Sequence, residues 1–136
     1  MGSSFIYSSA HVGLKSVPVR VEADISSGLP RFTIVGLPDA AISESRERIR
    51  AAIKNSGLTF PRTRVTVNLA PANLKKQGPM YDLPIALSIL IASGAISQTN
   101  ITKTSVFLGE LSLDGEIRPV QGALLAATMC KDRKLD

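Results

Sequence analysis

The sequence has few of the side chains on which disulfide, metal and redox chemistry depend. It holds one cysteine, Cys130, one histidine, His11, and no tryptophan. One cysteine cannot close an internal disulfide, and together with one histidine it cannot supply the four ligands of a structural zinc site. His11 lacks a nearby cysteine or carboxylate, which favours a surface or packed residue over a metal ligand. A fold without disulfides fits a reducing compartment, so we expect a cytoplasmic protein.

Long apolar runs and nucleotide-binding loops are also missing. The longest apolar stretch, residues 83–92, is about half as long as a membrane span needs. The first residues lack the basic and apolar regions of a signal peptide. We therefore expect no membrane partner. No G-x-x-x-x-G-K-[ST] or G-x-G-x-x-G motif is present, so we expect no cofactor or metal in this chain, and composition alone supports no enzyme.

What the sequence does contain is typical of one globular domain. Of its 136 residues, 44% are hydrophobic and 20% are charged, which is enough to bury a single core. No repeat, low-complexity tract or linker divides it, so residues 1–136 are predicted to form one domain. A further strand is expected beyond the last predicted helix.

Hydrophobic periodicity predicts the element order β-β-β-α-β-α-β-β-α. Period-two alternation and turn signals place the strands at residues 5–11, 17–25, 32–35, 64–69, 106–111 and 116–120. Helices are predicted over residues 39–55, 82–92 and 122–134, with Asp39 and Asp82 as N-caps. Asp114-Gly115 predicts a hairpin turn, and Glu44 and Arg48 are expected to pair on a solvated helix face. This order describes an α/β (α+β) sandwich, a mixed sheet covered by helices.

Positive charge is concentrated in the middle of the chain. Residues 44–76 hold eight basic and two acidic residues, a net charge of +6, and the rest of the chain carries −1, which gives +5 in total. Such a segment can bind nucleic acid or another polyanion. A solvated helix face followed by a charged loop is the alternative explanation.

Four motifs give the chain a family resemblance. They are IVGLP, NLAP, YDLPIAL and LGEL-LDGE-RPV, within residues 28–57, 60–94 and 108–127, which cover well over half of the sequence. The chain thereby resembles the Lon-protease-like, ChlI-type N-terminal domain of the ComM/YifB-like, magnesium-chelatase-related AAA+ ATPases. The resemblance implies a fold like ribosomal protein S5 domain 2. It also implies a separate motor domain that binds ATP and magnesium, and a hexameric assembly.

The likeness to Lon proteases identifies two positions that test for catalysis. Those enzymes use a serine in a G-P-S-A-G turn and a lysine after a second glycine-containing turn. Met80 and Leu124 occupy the corresponding positions here. A thioether cannot be deprotonated to attack a carbonyl, and an isobutyl group cannot act as a base. We therefore expect no catalytic residues in this chain.

The resemblance implies DNA as a partner, because the family is linked to DNA branch migration during natural transformation. We expect a non-catalytic module for assembly and for handling DNA or another substrate. The candidate phosphate contacts are Arg46, Arg50, Arg62, Lys75 and Lys76. Two alternatives stay open: an oligomerisation module without a ligand, and an active Ser-Lys protease, which Met80 and Leu124 disfavour.

Overall fold

The computed structural model describes residues 2–120 and 123–134. Within them the elements follow the order β1, β2, β3, α1, β4, α2, α3, β5, β6, α4. The strands are β1 (Ser3–Val12), β2 (Lys15–Ser26), β3 (Arg31–Val35), β4 (Arg64–Ala70), β5 (Glu110–Leu111) and β6 (Ile117–Arg118). The helices are α1 (Ala40–Asn55), α2 (Asp82–Ala92), α3 (Asn100–Thr104) and α4 (Ala123–Arg133), and a 3-10 turn, Pro79–Tyr81, leads into α2.

The four long strands form a mixed sheet in the order β1-β2-β4-β3. β1, β2 and β4 pair antiparallel, whereas β3 lies parallel to β4, and α1 makes the connection between them. Alternate residues of β2, such as Val19 and Val21, point into the core, as the period-two pattern predicts. β1 and β3 are the two edges of this sheet.

Two helices supply much of the apolar core. α1 buries Ile42, Ile49 and Ile53 along one face, and α2 is buried nearly all round, which confirms it as the core helix. Asp39 caps α1 as predicted, since its carboxylate accepts a hydrogen bond of 2.9 Å from the amide of Ile42. The predicted α/β class, with a mixed sheet and helices, is confirmed.

Three local predictions differ from the structure. α3 was not predicted, because its capping box joins Thr99 to a threonine, Thr102, and not to the usual glutamate or glutamine. Residues 106–111 do not form one strand. Val106 makes a single bridge to β1, and Gly109 instead bonds to the start of α2, donating to Met80 O at 2.9 Å and accepting from Leu83 N at 2.9 Å.

The third difference concerns Asp82, which is the first residue of α2 and not its cap. The hairpin at Asp114-Gly115 is confirmed by the pairing of β5 with β6. Over residues 2–120 and 123–134, no helix has both the length and the apolar content that a membrane crossing requires.

Candidate functional site

Arginines gather where β3 and β4 begin. Arg46, on α1, reaches β3 and donates to the carbonyl of Phe32 at 3.3 Å. One turn further along α1, the guanidinium of Arg50 lies 5.3 Å from the ring centre of Phe60, and this ring packs against Phe32 at 5.3 Å. Two arginines of α1 thus lie against the pair formed by Phe32 and Phe60.

Three more arginines lie at or just before the first residues of β3 and β4. Arg31 and Arg64 are register partners at the first positions of β3 and β4, and Arg62 is two residues before Arg64. All five side chains are exposed, and none forms an ion pair in the part of the chain that the structure describes. We call this set the arginine corner: Arg31, Arg46, Arg50, Arg62 and Arg64. Clustered cations of this kind raise the local positive potential.

The structure therefore brings together only part of the predicted basic surface. Arg46, Arg50 and Arg62 belong to the arginine corner, whereas exposed Lys75 lies beyond the other end of β3, beside Leu37. Sequence reasoning did not select Arg31 and Arg64 as candidates. Both stand at strand starts, and parallel neighbours begin at the same edge of a sheet, so their proximity was a usable signal.

Lys76 departs most from its predicted role, because its side chain is 0% exposed. Its Nζ donates to the carbonyl of Gly36 at 2.7 Å and also to that of Pro71, and its amide donates to Leu37 O at 3.2 Å. Burial lowers the pKa of Lys76. An ammonium held inside the fold cannot contact phosphates, so Lys76 is removed from the candidate DNA surface.

The loop that Lys76 holds requires a glycine at position 36. Gly36 has a φ of 101°, and a Cβ at this position would lie 2.2 Å from the carbonyl oxygen of Leu69. Only glycine fits this close approach of two chains. Lys76 therefore joins the segment after β3 to the segment after β4, which explains IVGLP and NLAP as packing partners.

A second buried charge, Asp82, has different partners. Its carboxylate accepts from Arg48 Nε at 2.8 Å, from Arg48 Nη2 at 3.1 Å and from the amide of Leu111 at 3.0 Å. The hydrogen bond to Asp82 is the main cause that raises the pKa of Arg48. The predicted pairing of Arg48 with Glu44 is thus replaced by a bidentate ion pair that joins α1, α2 and β5.

The position of the protease serine lies beside a cleft of about 400 Å³, which we call the Met80 cleft. Met80 is 7% exposed and sits in the 3-10 turn before α2. The lining residues are His11, Gln77, Gly78, Pro79, Met80, Glu110, Pro119 and Val120. None of these described residues is a serine, threonine, cysteine or lysine, and Leu124 belongs to α4 but its side chain lies outside the described residues.

The turn that carries Met80 is fixed on both sides. Asp39 accepts from the amide of Gly78 at 3.0 Å, and the hydroxyl of Tyr81 donates to the carbonyl of Ser9 at 2.8 Å. Burial, and to a lesser extent the charge of Asp39, raises the pKa of Tyr81, so this phenol stays protonated. Across the described residues, no cluster of three or more His, Cys, Asp or Glu side chains could hold a metal ion.

A family model described as subunit ChlI of Mg-chelatase matches residues 21–136. The matched range includes the arginine corner, both buried charges and the whole Met80 cleft apart from His11. The match therefore covers most of the fold described above.

Three curated relatives are similar over nearly the whole chain. The uncharacterized protein YifB of Escherichia coli is 44% identical over 128 residues, 94% of this chain and 25% of YifB. The uncharacterized protein Rv2897c of Mycobacterium tuberculosis is 47% identical over 125 residues, 92% of this chain and 25% of the relative. Competence protein ComM of Haemophilus influenzae is 42% identical over 134 residues, 96% of this chain and 26% of ComM. The chain spans about a quarter of the length of these relatives.

Proposed function

Because the chain belongs to the family of the ChlI subunit of magnesium chelatase, we propose that it is a non-catalytic N-terminal module of a larger AAA+ ATPase that handles DNA. Its arginine corner contacts the phosphate backbone. The proposal includes a fold like ribosomal protein S5 domain 2, an ATP- and magnesium-binding motor outside this chain, and a hexamer. The similarity to a protein named for competence supports DNA as the partner.

The arginine corner is the observation that carries this proposal. Five exposed guanidinium groups with no carboxylate partner among the described residues have hydrogen-bond donors free for phosphate oxygens. Phosphate contacts release condensed counterions, so log K falls linearly with log salt at about 0.9 per contact. Five contacts therefore correspond to a slope of about −4 to −5 on duplex DNA. Glu44 and Glu47 are exposed on α1 nearby and leave the local balance positive.

The salt dependence of DNA binding tests the proposal. We expect the triple variant Arg46→Gln, Arg50→Gln, Arg62→Gln to flatten the slope by about three units on duplex DNA. The matched control is Lys15→Gln, Lys103→Gln, Arg118→Gln, which removes the same charge from exposed positions elsewhere. Titrations would use labelled single-stranded, duplex and branched DNA across a salt series.

The control keeps a general charge effect apart from a located surface. An unchanged slope in the triple variant would show that the arginine corner does not contact phosphates. Equal flattening in both variants would show that net charge, and not this corner, governs binding. Met80 supports the non-catalytic part of the proposal, and cleavage of a peptide by the purified chain would contradict that part.

Two exposed leucines favour a second function, assembly of copies. Leu14, at the tip of the β1–β2 hairpin, is 89% exposed, and Leu29, in the turn after β2, is 88% exposed. They lie at opposite ends of β2, which suits a head-to-tail contact between copies. Light scattering after size exclusion should then show a concentration-dependent mass that falls in Leu14→Ser and in Leu29→Ser. A monomer at all concentrations would contradict assembly through these ends.

A further inference from the structure

The outer edge of β1 has a defined set of backbone groups. The carbonyls of Phe5, Tyr7 and Ser9 accept hydrogen bonds from groups outside the β1–β2 pair: Gln98 Nε2 at 2.7 Å, Phe107 N at 2.8 Å and Tyr81 Oη at 2.8 Å. Outward and inward backbone groups alternate along an antiparallel strand. The N–H and C=O of His11 must therefore point outward as well, away from β2.

The edge at His11 is open. The neighbouring segment reaches β1 only at the bridge between Tyr7 and Val106, and residues 107–109 then turn towards α2. Over residues 2–120 and 123–134, no backbone group pairs with the outward groups of His11. The end of β1 thus keeps an unpaired donor and acceptor, which is the feature that recruits an added strand.

This open edge forms one wall of the Met80 cleft, because His11 lines it. Pro79, Met80, Pro119 and Val120 supply apolar surface, and a cleft of about 400 Å³ is large enough for side chains to enter. The unbranched thioether of Met80 can adapt to different side-chain shapes. Glu110 adds one carboxylate, which forms no ion pair among the described residues and favours a basic side chain opposite it.

We propose that the Met80 cleft binds an extended polypeptide segment as an additional strand on β1, without cleaving it. The backbone of the segment pairs with the N–H and C=O of His11. Alternate apolar side chains pack on Pro79, Met80 and Val120, and a basic side chain faces Glu110. This site lies at the opposite edge of the sheet from the arginine corner and does not depend on DNA binding.

A proline at position 11 tests the backbone pairing directly. Because the amide of His11 points away from β2, proline there leaves the β1–β2 ladder intact while it blocks strand addition. The matched variant, His11→Ala, removes the imidazole and keeps the amide. The probe is a fluorescein-labelled octapeptide of alternating valine and threonine with one lysine, and anisotropy measures its binding. We expect saturable binding, about tenfold weaker for His11→Pro and within about twofold for His11→Ala.

A second probe keeps the test independent of the stability of the variants. The same octapeptide with alternate backbone amides methylated retains its side chains but loses the donors that pair with β1. It should bind the unaltered chain about tenfold more weakly. Equal affinity for both peptides would overturn the proposal, as would equal affinity of His11→Pro and His11→Ala or no binding of the first peptide. Affinity for the peptide should be unchanged in the arginine-corner triple variant, whatever that variant does to DNA.

Discussion

Asp82 and Lys76 are both fully buried charges, yet the fold satisfies them in opposite ways. Asp82 meets a cation and receives three hydrogen bonds, two from Arg48 and one from the amide of Leu111. Lys76 meets no carboxylate within ion-pair distance among the described residues and donates to the carbonyls of Gly36 and Pro71. One charge is neutralised, and the other is only solvated by backbone dipoles.

The difference indicates which contact the fold depends on more. Removing one member of a buried ion pair leaves the other charged and poorly solvated, which costs far more than the pair itself contributes. A lysine held by carbonyls leaves only polar, uncharged groups behind when it is removed. The pair also joins α1, α2 and β5, whereas Lys76 joins two loops. We therefore expect Asp82 to be the more sensitive position.

The largest effect is expected for Asp82→Ala. This substitution leaves the guanidinium of Arg48 without its partner and the amide of Leu111 without an acceptor. The free energy of unfolding should fall by ~3 kcal/mol. This is at the lower end of the losses usual for a broken buried ion pair, because Arg48 retains some contact with solvent. Urea unfolding followed by circular dichroism would measure it.

The double variant Arg48→Met, Asp82→Leu is the matched control for that loss. It removes both charges and fills the space with apolar side chains of similar size, so most of the stability should return. A double variant no more stable than Asp82→Ala would show that packing or the Leu111 contact, and not the unpaired arginine, caused the loss. The expected difference in sensitivity between Asp82 and Lys76 would then have no support.

Periodicity and turn chemistry predicted most of the sheet and the three longer helices, α1, α2 and α4. The alternation in β2, the apolar stripe of α1 and the apolar run in α2 are local signals, and burial follows from them. The Asp39 cap and the Asp114-Gly115 hairpin are local as well, since their hydrogen bonds join residues close in sequence. The motifs IVGLP and NLAP were recognised, but their contact through Lys76 was not.

Apart from α3, whose cap is local, the main missed features depend on partners distant in sequence. Arg48 and Asp82 are 34 positions apart, so helix spacing offered Glu44 as the nearer partner for Arg48. Lys76 follows another lysine in a polar segment, and nothing local indicates which of the two turns inward. Residues 106–111 have strand composition, but the start of α2 takes the backbone groups of Gly109. In each case a tertiary contact outweighed a correct local tendency.

We expect Lys76→Met to lower the free energy of unfolding less than Asp82→Ala does. Methionine fills similar space but leaves the carbonyls of Gly36 and Pro71 without their donor, while it also removes the cost of burying an ammonium. These terms oppose each other, so the free energy of unfolding should fall by only ~1 kcal/mol near neutral pH. A loss as large as that of Asp82→Ala, measured by the same urea unfolding, would contradict the proposed contrast.

The pH dependence of the free energy of unfolding separates the cost of burying the Lys76 ammonium from the value of its hydrogen bonds. Burial lowers its pKa in the folded chain below the ordinary value of 10.5. Between the pKa of Lys76 in the folded chain and its pKa in the unfolded chain, the unfolded chain binds more protons than the folded chain. Raising the pH through this range therefore stabilises the fold. The free energy of unfolding of the unaltered chain, minus that of Lys76→Met, should therefore increase as the pH rises from neutral to about 10.5. Other titrating groups are common to both chains and cancel in the difference, so a flat or falling difference would mean that the ammonium carries no burial cost.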